Sequence, residues 1–288
     1  MGKAFGCVAA GAVAFASAAD TVVLKNAHGT LKVETFGARA VSYVPAGSGE
    51  VLASLSDGTG GMPLCWPWFA NEGPSPDCRR HGVARYSDFR VLEKTDRELS
   101  LRLASNDGTR RDFPHDFELT VSFRLGAELT ITVTGVNTGT TPFPVTEMIH
   151  PYFRVGSAPE CVVRGVDGFR YQDNRHPELG DQRVWSGDYP IGDGSRVFEF
   201  NYPGVHRWLL EDPALKRTLH FTGEGDLKMV VWNPGPATLQ AANVTSHLKP
   251  GEWRNFVCVE NGTTYRDRAY VLKPGERHVL RRTIRVAQ

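Results

Sequence analysis

The sequence predicts an all-β protein of mostly antiparallel strands, and three observations carry that prediction. Apolar and polar residues alternate in Glu118-Leu119-Thr120-Val121-Ser122-Phe123-Arg124-Leu125 and in Leu129-Thr130-Ile131-Thr132-Val133, the period of a strand with one buried face. Short runs of this kind are punctuated by glycine, proline and asparagine, which favour turns and weaken strand interiors. No segment carries apolar residues at helical spacing over three turns. Such a pattern specifies a sandwich or a barrel.

In chain order the predicted strands begin after Asp20, at 30–36 and 39–44, and continue at 89–93, 99–103, 117–125 and 129–136. Later strands fall at 145–155, 208–211, 227–232, 256–260 and 278–286. The 256–260 run is apolar up to a terminal carboxylate, Glu260, and Asn261-Gly262 behind it is a turn dipeptide. No internal repeat, low-complexity linker or composition break divides the chain, so 20–288 is expected to be one domain. Residues 1–19 stand apart: a short basic start, an apolar run from Ala4 to Phe15, and the small residues Ala16-Ser17-Ala18-Ala19. That is the layout of a secretory signal peptide, too short for a comfortable membrane span, and it predicts an exported protein.

Composition narrows the function. The 288 residues are 41% hydrophobic and 10% aromatic with a formal net charge of +1, ordinary for a globular core and without the basic stripe of a nucleic-acid binder. Loss of Cys7 with the leader would leave Cys65, Cys78, Cys161 and Cys258. An exported protein could pair them, Cys65 with Cys78 being nearest in sequence, whereas apolar flanks make Cys65 and Cys258 read as small buried hydrophobes. There is no CxxC pair and no His/Cys spacing suited to zinc, so no metal is expected.

Three distant segments carry the chemistry. The first runs Gly60-Gly61-Met62-Pro63-Leu64-Cys65-Trp66-Pro67-Trp68-Phe69 and continues to Arg80-His81-Gly82-Val83-Ala84-Arg85; the second is Glu147-Met148-Ile149-His150-Pro151-Tyr152-Phe153; the third is Val257-Cys258-Val259-Glu260. A histidine and a carboxylate held among apolar residues have proton affinities pushed toward neutrality and can share acid–base work. Taken singly, His150 also reads as a core histidine satisfied by a carbonyl, and Glu260 as a solvated strand end. Trp66, Trp68 and Phe69 either wall a cleft or pack beneath one.

Together these segments resemble the glucose-6-phosphate 1-epimerase (hexose-6-phosphate mutarotase) branch of the aldose 1-epimerase family, from about Asp20 to the C-terminus. The resemblance implies a galactose-mutarotase-like β-supersandwich with a sugar cleft on its concave face. It implies that His150 is a general acid and Glu260 a general base in opening and closing a hexose ring, without cofactor. His81, Arg85, Arg80 and Trp66 would bind the sugar or sugar phosphate, Gly82 would let backbone approach it, and the protein would act as a monomer. Thr59 stands where phosphate-specific relatives carry an arginine, Ser195 where they carry an aspartate, and an acidic residue before the last segment is replaced near His247. With an arginine missing, Arg80, Arg85 or Arg196 would have to hold a phosphate; an unphosphorylated or differently charged sugar is the other expectation.

Two competing readings stand beside this one. A carbohydrate-binding or sensing protein on the same fold would explain Thr59 and Ser195, though binding alone requires neither His150 nor Glu260. A hydrolase or lyase on a similar sandwich would want a second carboxylate, and Asp88, Asp167 and Asp173 lack a recommending context. Asn243-Val244-Thr245 and Asn261-Gly262-Thr263 match the glycosylation pattern, the latter beside Glu260.

Overall fold

The computed structural model describes residues 20–173, 176, 178, 180, 183–192, 194–199, 204–238, 248–264 and 269–288. The leader expected at 1–19, His247 and the Asn243 sequon lie outside them. The described helices are single turns, such as Asp107–Arg110, whose Asn106 cap accepts from Gly108 and Thr109. No helix among the described residues is long and apolar enough to cross a membrane.

Antiparallel sheets dominate. Among the described residues the largest has nine strands, with Val205–Asp212, Arg217–Glu224, Arg277–Ala287, Leu129–Asn137, Phe117–Leu125 and Glu98–Ala104 adjacent in that order. The alternation read from the sequence is the cause: in Phe117–Leu125 and Leu129–Asn137 every second side chain is buried. The outward row is polar and in register, Ser100 opposite Ser122, Ser122 opposite Thr132 and Thr132 opposite Arg281.

The second sheet holds the chemistry-bearing segments on neighbouring strands. Leu64–Cys65 pairs with Glu147–Ile149, which pairs with Phe256–Thr263; Lys228–Asn233 lies on the far side of Phe256–Thr263, and Gly194–Glu199 beyond that. One face of this sheet sends Leu64, Ile149, Val231, Val257 and Val259 into the core shared with Val121 and Ile131 of the large sheet. The other face carries Cys65, Met148 and Val230 in one small cluster and Phe256 and Cys258 in another. Every residue of Phe256–Thr263 is buried, and its first four, Phe256-Val257-Cys258-Val259, read as a continuous apolar run.

One sequence expectation is corrected here. Asn261-Gly262 is not a turn, because Phe256–Thr263 continues through it and pairs on both sides, Asn261 with Met229 and with Ile149. Gly262 fits where nothing larger would, since a Cβ there would lie 2.0 Å from the Glu147 carbonyl oxygen. Asn261 is fully buried and accepts from Arg282 Nη1 at 3.0 Å, so that sequon is closed to a glycan. The cysteines also stay apart: Cys65, Cys78, Cys161 and Cys258 are all free thiols.

Candidate active site

A cleft of about 290 Å³ opens over the second sheet, small but adequate for a single sugar ring. His150 and Glu260 form its floor, His81, Arg85 and Arg80 one side, and Tyr152, Trp232 and Val230 the other, with Phe69 and Tyr86 at the margin. Strand register explains the grouping. Glu260 lies opposite Val230, and Cys258 lies opposite Trp232 on one side and Tyr152 on the other. Residues two apart on a strand share a face, so Tyr152, Cys258, Glu260, Val230 and Trp232 all point one way.

His150 Nε2 stands 3.5 Å from Glu260 Oε1, and both side chains are almost wholly buried. The His150 backbone N–H donates to Pro63, and the neighbouring Tyr152 N–H to Gly61, so the first segment holds the second in place. The imidazole stacks on Tyr152 with rings 12° from parallel and 5.0 Å apart. Burial pushes the His150 pKa down to about 3, assisted by Arg85 and Arg80, while its backbone carbonyl acts the other way. Burial pushes the Glu260 carboxyl well above its usual range, against Arg85, Arg282 and Arg80, which favour the carboxylate. Both shifts disfavour charge. Burial thus favours the neutral forms of both groups.

His81 is fixed differently. Its backbone has φ +67°, and Gly82 behind it has φ +81°, a left-handed pair that L side chains resist. A Cβ on Gly82 would lie 2.0 Å from the Trp66 carbonyl oxygen, so glycine is obligatory there. His81 Nδ1 accepts from the Ala70 backbone N–H at 3.1 Å and lies 3.2 Å from Cys65 Sγ. Nδ1 is thus an acceptor, the ring proton belongs on Nε2, and the cleft receives a neutral donor. Burial, then Arg85, His150 and Arg80, hold the His81 pKa well below normal. Arg85 is anchored by Nε to the Leu64 carbonyl at 3.0 Å and by Nη2 to Cys65 Sγ at 3.2 Å. Arg80 is exposed at the mouth.

Other sequence-predicted residues sit elsewhere. Trp66 does not reach the cleft. It is buried against Phe117 and Phe113 in the core, because Cys65 takes the cleft side and alternation turns Trp66 to the opposite face. Thr59 is exposed on a loop, with its N–H and hydroxyl both donating to Asp57. Ser195 lies in Gly194–Glu199 opposite Trp232, its side chain outside the described atoms. Arg196 is buried against Asp173 at 2.7 Å, which removes both from consideration as a phosphate ligand and a second catalytic carboxylate. Asp167 accepts from the Gly187 N–H; neither it nor Asp88 lines the cleft.

Sequence reasoning missed Val230, Tyr86 and the cleft position of Trp232. The residue after Trp232 is structural: Asn233 Nδ2 donates to the Trp253 and Phe256 carbonyls, and its Oδ1 accepts from Gly235. The signal available was the two-residue spacing of Val230 and Trp232. It becomes informative only once their strand is known to lie beside Glu260. No metal was expected from spacing along the chain, yet the fold gathers one donor atom each from His150, Cys258 and Glu260 within 4.8 Å.

Comparison with known proteins places the chain by sequence and fold. A family model described as aldose 1-epimerase matches residues 20–285. A Salmonella typhimurium protein provisionally named a glucose-6-phosphate 1-epimerase is 29% identical over 262 residues, covering 84% of this chain and 82% of its own. An Escherichia coli K12 protein of the same provisional name is 29% identical over 290 residues, covering 93% and 91%. The crystal structure of YeaD from Salmonella typhimurium, provisionally described as a mutarotase, superposes with a TM-score of 0.80 at 27% identity over 94% of this chain and 91% of that one. A galactose mutarotase related enzyme of Lactobacillus acidophilus, 17% identical, shares the fold at a TM-score of 0.74 over 93% and 98%. The fold is that of the galactose mutarotases.

Proposed function

The chain belongs to the aldose 1-epimerase family of isomerases, and on that premise we propose that it interconverts the α and β anomers of a hexose or hexose 6-phosphate, with Glu260 as base and His150 as acid. The observation that carries this reading is the buried 3.5 Å approach of Nε2 to Oε1 at the floor of a sugar-sized cleft.

The pair shares one proton, and ring opening moves that proton from one partner to the other. With the cyclic sugar bound, carboxylate Glu260 takes the proton of the C1 hydroxyl as the His150 imidazolium protonates the ring oxygen. The C1–ring-oxygen bond breaks and an aldehyde forms, leaving neutral histidine and carboxylic acid. Rotation about C1–C2 presents the other aldehyde face, and closure returns both protons. Arg85 and Arg80 favour the carboxylate but disfavour the imidazolium, so the two effects oppose one another for the charged pair. Arg282 acts on Glu260 and is not among the groups shifting His150, and so biases the pair toward its charged arrangement. His81 Nε2–H and Arg85 supply donors to the sugar oxygens, and Trp232 and Tyr152 offer aromatic faces to its C–H groups.

For the substrate, the guanidinium groups of Arg80 and Arg85 face a cleft whose lining has Glu260 as its carboxylate, which suits a sugar carrying negative charge. The name of the Salmonella and Escherichia relatives points the same way, to glucose 6-phosphate. A neutral hexose is the second reading, favoured by Thr59 standing where the family resemblance leads one to expect an arginine. Anomeric exchange rates by NMR with glucose, galactose and glucose 6-phosphate decide between them. Acceleration of none of the three would sink the enzymatic reading in favour of a sugar-binding role.

A further inference from the structure

Beneath the acid–base pair lies a thiol that ring opening does not use. Cys258 is fully buried and precedes Glu260 by two residues on the same strand face. One donor atom each from Cys258, Glu260 and His150 lie mutually within 4.8 Å. The thiol's nearest apolar company is Ala53, Leu55 and Phe256, so no ion pair competes for it.

We propose that His150, Cys258 and Glu260 form a three-donor site for a soft divalent cation of the zinc class, and that its occupancy switches the acid–base pair off. Zinc takes sulfur at roughly 2.3 Å and nitrogen or oxygen at roughly 2.0–2.2 Å in a tetrahedron, so its ligands lie about 3.3–3.7 Å from one another. The 3.5 Å between Nε2 and Oε1 already matches such an edge; the thiol, within 4.8 Å of the other donors, needs to close by at most about 1.5 Å, within reach of a thiol rotamer. Two donors stand on one strand and the third at the end of its neighbour, so the frame is rigid. Thiolate with imidazole and carboxylate selects zinc, cadmium or cobalt over magnesium and calcium, which want an all-oxygen shell.

Two further observations point to a ligand. Glu260 Oε2 is buried and has no hydrogen-bond partner among the described residues, an orphaned acceptor that a cation bound by both carboxylate oxygens would satisfy. Three protein donors also leave a fourth position facing the cleft, where water or a sugar oxygen would bind. A cation held by Nε2 and Oε1 occupies the place of the shared proton. Metal binding and proton shuttling therefore exclude one another, and this inhibitory clause rests on the function proposed above, whereas the binding clause does not.

The test titrates cobalt(II) alone into metal-free protein and reads absorption, since cobalt bound to thiolate gives a sulfur-to-metal charge-transfer band. Wild type is expected to show the band at one equivalent and to lose it on adding zinc. Cys258→Ser should lose the band and bind zinc at least tenfold more weakly, and Cys78→Ser, a free thiol outside the cleft, should behave as wild type. Zinc should suppress mutarotation in wild type, and in Cys258→Ser the same fractional inhibition should need at least tenfold more zinc. Cobalt binding without the band, a band retained in Cys258→Ser, or no binding at all would overturn the assignment. Should the serine variant not fold, X-ray absorption of zinc-loaded wild type decides, one sulfur with two light donors supporting the site and none refuting it. A metal site in a protein without mutarotation would leave the binding clause standing and sink only the proposed function.

Discussion

Replacing Glu260 by glutamine tests the proposed chemistry most directly, because the side chain is about 1% exposed and glutamine preserves its volume. No cavity forms, and an amide N–H can still meet His150 Nε2 across the existing 3.5 Å gap. Stability should therefore change by less than about 1 kcal/mol, and any change should favour the variant, since an amide gives up less hydration than a carboxylate. The rate should not survive. An amide cannot accept the C1 proton, and it offers no charge to stabilise the imidazolium that feeds the ring oxygen. General acid–base groups contribute roughly 10²–10⁴-fold, so a fall of about 10³ in kcat is expected, or about 4 kcal/mol of barrier. KM should move little, because the His81, Arg85 and Trp232 lining of the cleft is left unchanged. The assay dissolves a crystalline α anomer and follows optical rotation, with NMR exchange for the phosphorylated sugar. The pH profile gives an independent reading. Wild-type activity requires one proton on the pair, so it falls as pH drops toward the His150 pKa of about 3 and falls again as pH rises through the raised pKa of Glu260. The alkaline fall should disappear from whatever activity the variant keeps. A folded Glu260→Gln protein turning over within tenfold of wild type would refute a catalytic carboxylate at this position.

Three further outcomes follow from particular contacts. Gly82→Ala places a Cβ 2.0 Å from a carbonyl oxygen at φ +81°, whereas Gly58→Ala at φ +80° meets nothing within 4 Å; thermal melts should show a loss of about 3 kcal/mol or more for the first and about 1 kcal/mol for the second, and equal losses would contradict the close approach. Trp66→Ala should cost about 3–5 kcal/mol in denaturant melts with its core contacts gone, while Trp232→Ala should raise KM at a smaller cost in stability. Burial raises the Asp226 pKa from 3.8 to about 7. With a raised folded pKa, the stability Asp226 contributes is complete below the unfolded value and lost as pH climbs through 7. Wild type should therefore lose about 4 kcal/mol relative to Asp226→Asn between about pH 4 and 8, and parallel curves across that window would refute the shift.

The sequence by itself settled the fold class and singled out His150 and Glu260, which the fold brings within 3.5 Å of one another, and both readings rest on local signals. Strand character is written in a two-residue period that neighbouring side chains obey whatever the topology, as Phe117–Leu125 illustrates. His150 and Glu260 stood out because an ionisable group inside an apolar run is chemically conspicuous without coordinates. Reading the motifs together added the sugar chemistry, since their order along the chain matched a family pattern.

What the sequence could not decide was which faces meet. Trp66 and Trp232 are the same residue type in similar apolar settings. One packs in the core and the other walls the cleft, because strand register, a long-range property, turns them opposite ways. Asn261-Gly262 reads as a turn to any local rule, yet pairing on both sides holds it extended, with glycine required by a carbonyl from another strand. The gathering of His150, Cys258 and Glu260, and the bias that Arg282 exerts on Glu260 alone of that pair, depend on distances across strands and between sheets. Charge and coordination act through space, so only the tertiary structure could place them.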